Sequence, residues 1–331
     1  MEQIQLISLR NSLILKGAGI LFMLIHHLFY SKISRTAYDD IIIHGHGLIN
    51  EIGIFCKLCV AIFVFVSGYG LATKYYDDVP LKEYYVTRFK KLYFNYWFIW
   101  LIFVPIGVFV FHRSFEEVYG TNIVQKAIME FLGVLNLRGQ LGYNPTWWFY
   151  SCIIVLYLIF PWLNSRIEKN PYLILTLGLF AWYAGFISFV QPCSLYLLPF
   201  LAGMLMARKP HVFERIGIPE IITSLFLLCM MRNFCGNLVF IVDTMISMGL
   251  AMLLYHVKLP KWMDIAMASM GKHSMNIFLF HTFIFLYWFR EYIYITRNPF
   301  LILLSLLISC YLISVMIEFI KNKIGFYRLL K

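Results

Sequence analysis

Apolar residues dominate the chain in runs of about 17–25 residues, the length at which a helix crosses a bilayer. Ten such runs stand out, at 11–30, 52–73, 92–111, 146–164, 172–190, 192–207, 218–231, 234–256, 273–290 and 299–320. The sixth and seventh are short for a full crossing. Between the third and fourth lies a longer extracytoplasmic segment, 112–145, in which Ile123 to Leu137 reads as a candidate interfacial helix. The expected fold class is all-α, a polytopic membrane protein of about ten transmembrane helices. A single domain over 1–331 is expected, because no linker, low-complexity stretch or internal repeat divides the chain.

The charges set an orientation on this pattern. With the N-terminus inside, most of the 28 Lys and Arg fall on the cytoplasmic side, from Arg10 and Lys16 through Lys90 and Lys91 to Lys321, Lys323 and Arg328. That bias predicts cytoplasmic N- and C-termini and an even span count. Composition agrees: 61% of the 331 residues are hydrophobic, 14% are charged and 18% are aromatic, and the mean hydropathy is +0.74. A soluble domain carries about 25% charged residues. The net charge of +11 is therefore read as positive-inside bias and not as a nucleic-acid surface. The start of the chain has a basic residue and an apolar run, but no small-x-small site follows Tyr30, so a cleaved signal peptide is not expected. The seven cysteines fall mostly inside apolar runs and form no disulfide framework, and the isolated Cys56-x-x-Cys59 lacks a redox or metal context.

The stretch Lys16 to Tyr30 carries the first chemistry. Lys16 and His27 are eleven positions apart, about 1100° of helical rotation, so their side chains point the same way about 16 Å apart along the axis. His26 lies about 80° away from that line. Polar groups at such depth default to function; the alternative is a snorkelling lysine and two interfacial imidazoles. A second pair, His44 and His46, invites a zinc site, but no third ligand is visible and no metal is expected. The run Phe63 to Gly70 resembles a potassium filter only superficially, since a full helix leads straight into a basic loop; Gly68 and Gly70 are expected to let helices approach closely. In that loop Lys82, Arg88, Lys90 and Lys91 crowd the cytoplasmic mouth. Arg88 and Lys91 share a helix face and are suited to clamp a phosphorylated ligand, unless they serve only as positive-inside charges.

Further along, Trp147 and Trp148 suit an interface, and Pro161 is expected to bend or stop its helix. Asp243 and Lys57, both inside apolar runs, are expected to pair, with Arg232 capping a turn. His273 and His281 begin and continue the ninth run. Gly271-Lys272-His273 is not a phosphate-binding loop, because His273 replaces the required Ser or Thr.

Taken in order, several pieces resemble the membrane acyltransferase-3 family of bacterial integral-membrane O-acyltransferases. They are Leu15 to His27, with Lys16 where the family usually has Arg, then Phe63 to Tyr69, Arg88 to Tyr93, Trp147 to Pro161, and Gly271 to His281. The resemblance covers nearly the whole chain. It implies transfer of an acyl group, most often acetyl from acetyl-CoA or another acyl-CoA, to a hydroxyl of a carbohydrate or cell-envelope acceptor. It implies His27 and Lys16 as catalytic residues, Arg88, Lys91 and Lys90 as donor-binding residues, and His26, Trp147, Tyr150 and His281 as substrate-binding residues. The implied location is the bacterial cytoplasmic membrane, with the bilayer, donor and envelope-glycan acceptor as partners, no nucleic acid and no metal. His27 would act as general base or as an acyl-carrying nucleophile, two routes the residues do not separate. Asp39, Asp40 or Glu51 is the expected carboxylate to orient it. Two other classes compete. A secondary transporter of a small or lipid-linked sugar would use Lys57, Asp243 and the histidines as a polar path. A regulatory domain would bind acyl-CoA without turnover.

Overall fold

The computed structural model describes residues 5–30, 36–75, 80–185 and 191–330. Helices follow one another along the chain: α1 (Leu9–Phe29), α2 (Leu48–Phe55), α3 (Cys59–Lys74), α4 (Leu81–Phe109), α5 (Phe115–Tyr119), α6 (Ile123–Phe131), α7 (Trp148–Ile167), α8 (Pro171–Gly185), α9 (Gln191–Leu195), α10 (Leu197–Arg208), α11 (Pro210–Glu214), α12 (Ile218–Met231), α13 (Val239–His256), α14 (Lys261–Lys272), α15 (Ser274–Thr282), α16 (Arg290–Tyr294) and α17 (Pro299–Lys323). Among the described residues the sole sheet is a two-residue antiparallel hairpin of β1 (Ile42–Ile43) and β2 (His46–Gly47). The described residues of each of the ten apolar runs fall mainly on helix. Among the described residues, six helical segments are long and apolar enough to cross a membrane: Leu9–Phe29, Leu48–Lys74, Leu81–Phe109, Pro145–Ile167, Gly236–His256 and Pro299–Lys323. This is a multi-pass membrane protein. Shorter apolar helices occupy Pro171–Gly185, Cys193–Arg208 and Ser274–Trp288. Residues 186–190 of the fifth run and 76–79 of the basic loop lie outside the described residues.

Local sequence sets the helix starts. Asn144-Pro145 and Asn298-Pro299 are the same device: the asparagine oxygen accepts the first free amides, and proline occupies a position that has no bond to lose. Ser114 accepts from the Glu117 amide at the start of α5. Pro161 does not end its helix; α7 runs six residues beyond it. Membrane helices tolerate such a proline when neighbouring groups re-satisfy the freed backbone.

The chain forms two compact units. The first comprises Met1–Met23, Ile54–Val79 and Leu156–Lys272. Its centre is the contact of α3 with α10, where a Cβ on Gly68 would sit 2.2 Å from the Phe200 carbonyl oxygen and one on Gly203 would sit 2.1 Å from that of Phe65. Only glycine permits that approach. Gly70 has open space around it and takes no part, contrary to the expectation from sequence. Asp243 pairs not with Lys57 but with Arg232, which grips it with Nε–Oδ1 at 2.5 Å and Nη2–Oδ2 at 3.0 Å and donates to the Ile54 carbonyl. The planar guanidinium matches a carboxylate with two parallel bonds, which an ammonium cannot do. All seven cysteines are free thiols.

The second unit comprises Leu24–Gly53, Pro80–Val155 and His273–Lys331. Its buried centre is aromatic, with Tyr96 stacked on Tyr150 at 4.2 Å and Phe103 stacked on Phe280 at 5.1 Å.

Candidate active site

Within the second unit, the last turn of α1 meets the last turn of α15. The ring centres of His27 and His281 lie 5.0 Å apart, and those of His26 and His27 lie 5.1 Å apart. Phe285 flanks both members of the His27–His281 pair. His26 is buried, its Nδ1 2.8 Å from the Gly53 carbonyl and its ring stacked on Tyr30. A carbonyl only accepts, so Nδ1 of His26 carries the proton. His27 is half-buried. His281 is fully buried, with Nδ1 3.1 and 3.0 Å from the carbonyls of Ile277 and Phe278. The same argument puts its proton on Nδ1 and leaves Nε2 with a lone pair.

The end of α15 is held by the loop that precedes α7. Asn144 Nδ2 and Trp147 Nε1 both donate to the Leu279 carbonyl, at 3.1 and 2.9 Å. Two donors fill the two lone pairs of that oxygen. Beyond Thr282 the chain continues as a π-helix, Phe283–Trp288. Such turns break the regular ladder and recur at functional sites. The loop is pinned in turn by Glu130 on α6, a buried carboxylate that accepts from the Tyr119 hydroxyl and from the Asn144 amide at 3.4 Å. Burial pushes the Glu130 carboxyl up to about 7, against the lowering pull of these donors. Tyr150 packs beside Trp147 through Tyr96, and its buried hydroxyl has no hydrogen-bond partner among the described residues.

A family model described as an acyltransferase domain, of the acyltransferase-3 type, matches residues 13–319. The chain belongs to that family. No curated protein and no solved structure matches it. The acyltransferase match runs through both units and includes every residue assigned to the site from sequence.

Of those residues, His26, His27 and His281 come together in this acyltransferase fold, and Trp147 and Tyr150 share an aromatic stack with Tyr96. Trp147 spends its one donor on Leu279, and His26 spends its Nδ1–H on Gly53. Both therefore brace the site. Arg88, Lys90 and Lys91 follow one another along α4 in the same unit, with Lys91 exposed. Lys16 is half-buried, eleven residues before His27 on α1, and belongs to the first unit. Neither Asp39 nor Asp40 orients His27. Asp39 pairs with Arg297 at 2.8 Å, and Asp40 accepts from the Ile49 and Asn50 amides at the start of α2. The ring neighbours of His27 are other imidazoles and Phe285. His44 and His46 stand exposed on the hairpin, and no group of three residues placed to hold a metal occurs among the described residues.

Sequence reading missed a polar network at the start of α15. Lys321 on α17 is fully buried, with Nζ 2.8 Å from Asn95 Oδ1, 2.8 Å from Asn276 Oδ1 and 3.6 Å from Glu318 Oε1. Asn276 donates to Glu318 and Ser314, and Ser314 Oγ lies 2.9 Å from His273 Nδ1. The i, i+3 spacing of Glu318 and Lys321 inside an apolar helix was the signal that could have found it.

Proposed function

We propose that this acyltransferase takes its acyl group from a cytoplasmic acyl-CoA, most simply acetyl-CoA, and delivers it to a hydroxyl of a carbohydrate or cell-envelope acceptor. The observation that carries the reading is the His27–His281 pair, two imidazoles from opposite ends of the chain with ring centres 5.0 Å apart beside a buried aromatic wall. His27 is the less buried member and takes the acceptor's hydroxyl proton as that oxygen attacks the thioester carbonyl. Proton transfer by a positioned side chain contributes roughly 10²–10⁴-fold to such a step. Arg88, Lys90 and Lys91 are assigned to the anionic donor; guanidinium and ammonium groups suit the phosphates of CoA. Tyr150, with its uncommitted hydroxyl, is assigned to the acceptor. Ten spans, both termini in the cytoplasm and residence in the bacterial inner membrane complete the proposal; the Lys and Arg distribution supports them.

The test is thiol release from acetyl-CoA by the purified protein in lipid, wild type against His27→Ala. The expected result is turnover by the wild type and a loss of at least about 100-fold in a variant that melts like the wild type. A folded His27→Ala protein with full turnover would remove His27 from the mechanism.

A further inference from the structure

His281 is tied to Asn144 by a line of two hydroxyls whose hydrogen bonds can be worked out atom by atom. Asn144 Nδ2 donates to the Leu279 carbonyl, and its Oδ1 accepts from the Thr146 amide at 3.0 Å. A carbonyl can only accept and an amide N–H can only donate, so the orientation of the Asn144 side chain is fixed at both ends. Oδ1 also lies 2.7 Å from Thr146 Oγ1. Thr146 must give its single hydroxyl proton there, which leaves its oxygen as an acceptor. The next hydroxyl, Thr282 Oγ1, is 3.2 Å away and has one proton for two acceptors, Thr146 Oγ1 and the lone pair of His281 Nε2, 3.4 Å distant.

In the resting site His281 is neutral, with Nδ1–H bound to two carbonyls and Nε2 without a proton. Once a proton reaches Nε2, the new N–H needs an acceptor, and the Thr282 oxygen takes that part by giving its own proton to Thr146. Thr146 and Asn144 beyond it already point that way. The line ends at an amide, which neither takes up nor releases a proton at ordinary pH, so no proton leaves by this route. It holds a charge state in place and does not conduct.

The geometry points to Asn144, Thr146 and Thr282 as positioning residues that set His281 to receive a proton on Nε2 beside His27. His281 is then the second proton carrier of the transfer. This rests on the acyl-CoA reading above. In that reaction the acceptor oxygen forms the ester C–O bond, and the thioester C–S bond breaks with its electron pair on sulfur. The hydroxyl proton enters the imidazole pair and leaves on the thiolate as free CoA thiol, so the pair ends as it began. Trp147 and the Leu279 carbonyl hold the helix; the hydroxyl line holds the imidazole.

The experiment measures thiol release from acetyl-CoA by wild type, Thr146→Val, Thr282→Val, the double Val variant and Thr146→Ser. Valine keeps the shape of threonine and removes only the hydroxyl. Loss of one directed hydrogen bond corresponds to about a tenfold fall in kcat. Each Val variant should show that fall with the KM for acetyl-CoA within about twofold of wild type, Thr146→Ser should recover most of the rate, and the double variant should be no worse than either single, because one line is cut once or twice. If Thr146→Val does not fold, Thr282→Val on the other side of the contact carries the same reading. Turnover by wild type with kcat of the folded Val variants within about twofold of it overturns the inference alone, as does a double variant whose losses multiply. No thiol release by wild type overturns the acyl-CoA reading, and this inference with it.

Discussion

At the start of α15, Lys321 reaches three oxygens, and Asn276, Ser314, Glu318 and His273 link into one network. At the end of the same helix, His281 commits one nitrogen to the backbone and sets the other against the Thr282 hydroxyl at 3.4 Å, beside His27. Both clusters are buried polar chemistry in an apolar protein, and composition would give them the same importance. Their valences differ. The lysine gives protons to two amide oxygens and has a carboxylate at 3.6 Å to balance its charge, which is how a buried charge is made tolerable. On His281 Nε2 the partner is a long contact to a hydroxyl that can either give or accept a proton, which is what a proton-transfer centre requires. Fixed polar burial builds the helix contact, and polar burial that can exchange a proton does chemistry.

That contrast can be broken from the structural side. Lys321→Met would leave the Asn95 and Asn276 oxygens without this donor and Glu318 without its ion-pair partner, and the expected cost is about 2–3 kcal/mol, since removing one partner strands the others. It should appear as a lower melting temperature in detergent, with thiol release per folded molecule unchanged. A variant that melts like the wild type but has lost turnover would move Lys321 into the reaction and erase the distinction. A pH-dependent effect is expected at Glu130, which pins the Asn144 loop from outside the apolar spans. Its carboxyl is raised from 4.5 to about 7 in the folded protein. The stability it contributes is complete below the unfolded value and is lost as pH rises through the folded one, at about 1.4 kcal/mol per pH unit for one proton. Melting temperature should therefore fall between pH 4.5 and 7 in wild type and fall less in Glu130→Gln. Parallel pH profiles would show that folding leaves the Glu130 carboxyl at its unfolded value.

Much of this was legible in the sequence because the relevant signal is local. Hydropathy gave the helices, and the eleven-residue spacing put Lys16 and His27 on one face. The family motifs named His281, Trp147 and Tyr150. What could not be read were partners chosen across long separations. Nothing in the neighbourhood of Asn144 says that its amide meets Leu279, and nothing near Asp243 says that Arg232 excludes Lys57. Glu130 falls on a helix with an amphipathic pattern, where a carboxylate is expected on the wet face; it is buried because Tyr119 and the Asn144 loop close over it. Asp39 and Asp40 looked like partners for His27 by proximity in the chain, yet a salt bridge and a helix N-terminus claim them.

The most direct measurement of the central claim is the thiol-release cycle in lipid for wild type, His27→Ala, His281→Ala and the double variant. If the two imidazoles act as one proton-carrying unit, each single variant loses at least about 100-fold and the double loses no more than the worse single. Losses that multiply, or a folded His281→Ala protein with wild-type turnover, would contradict a paired site.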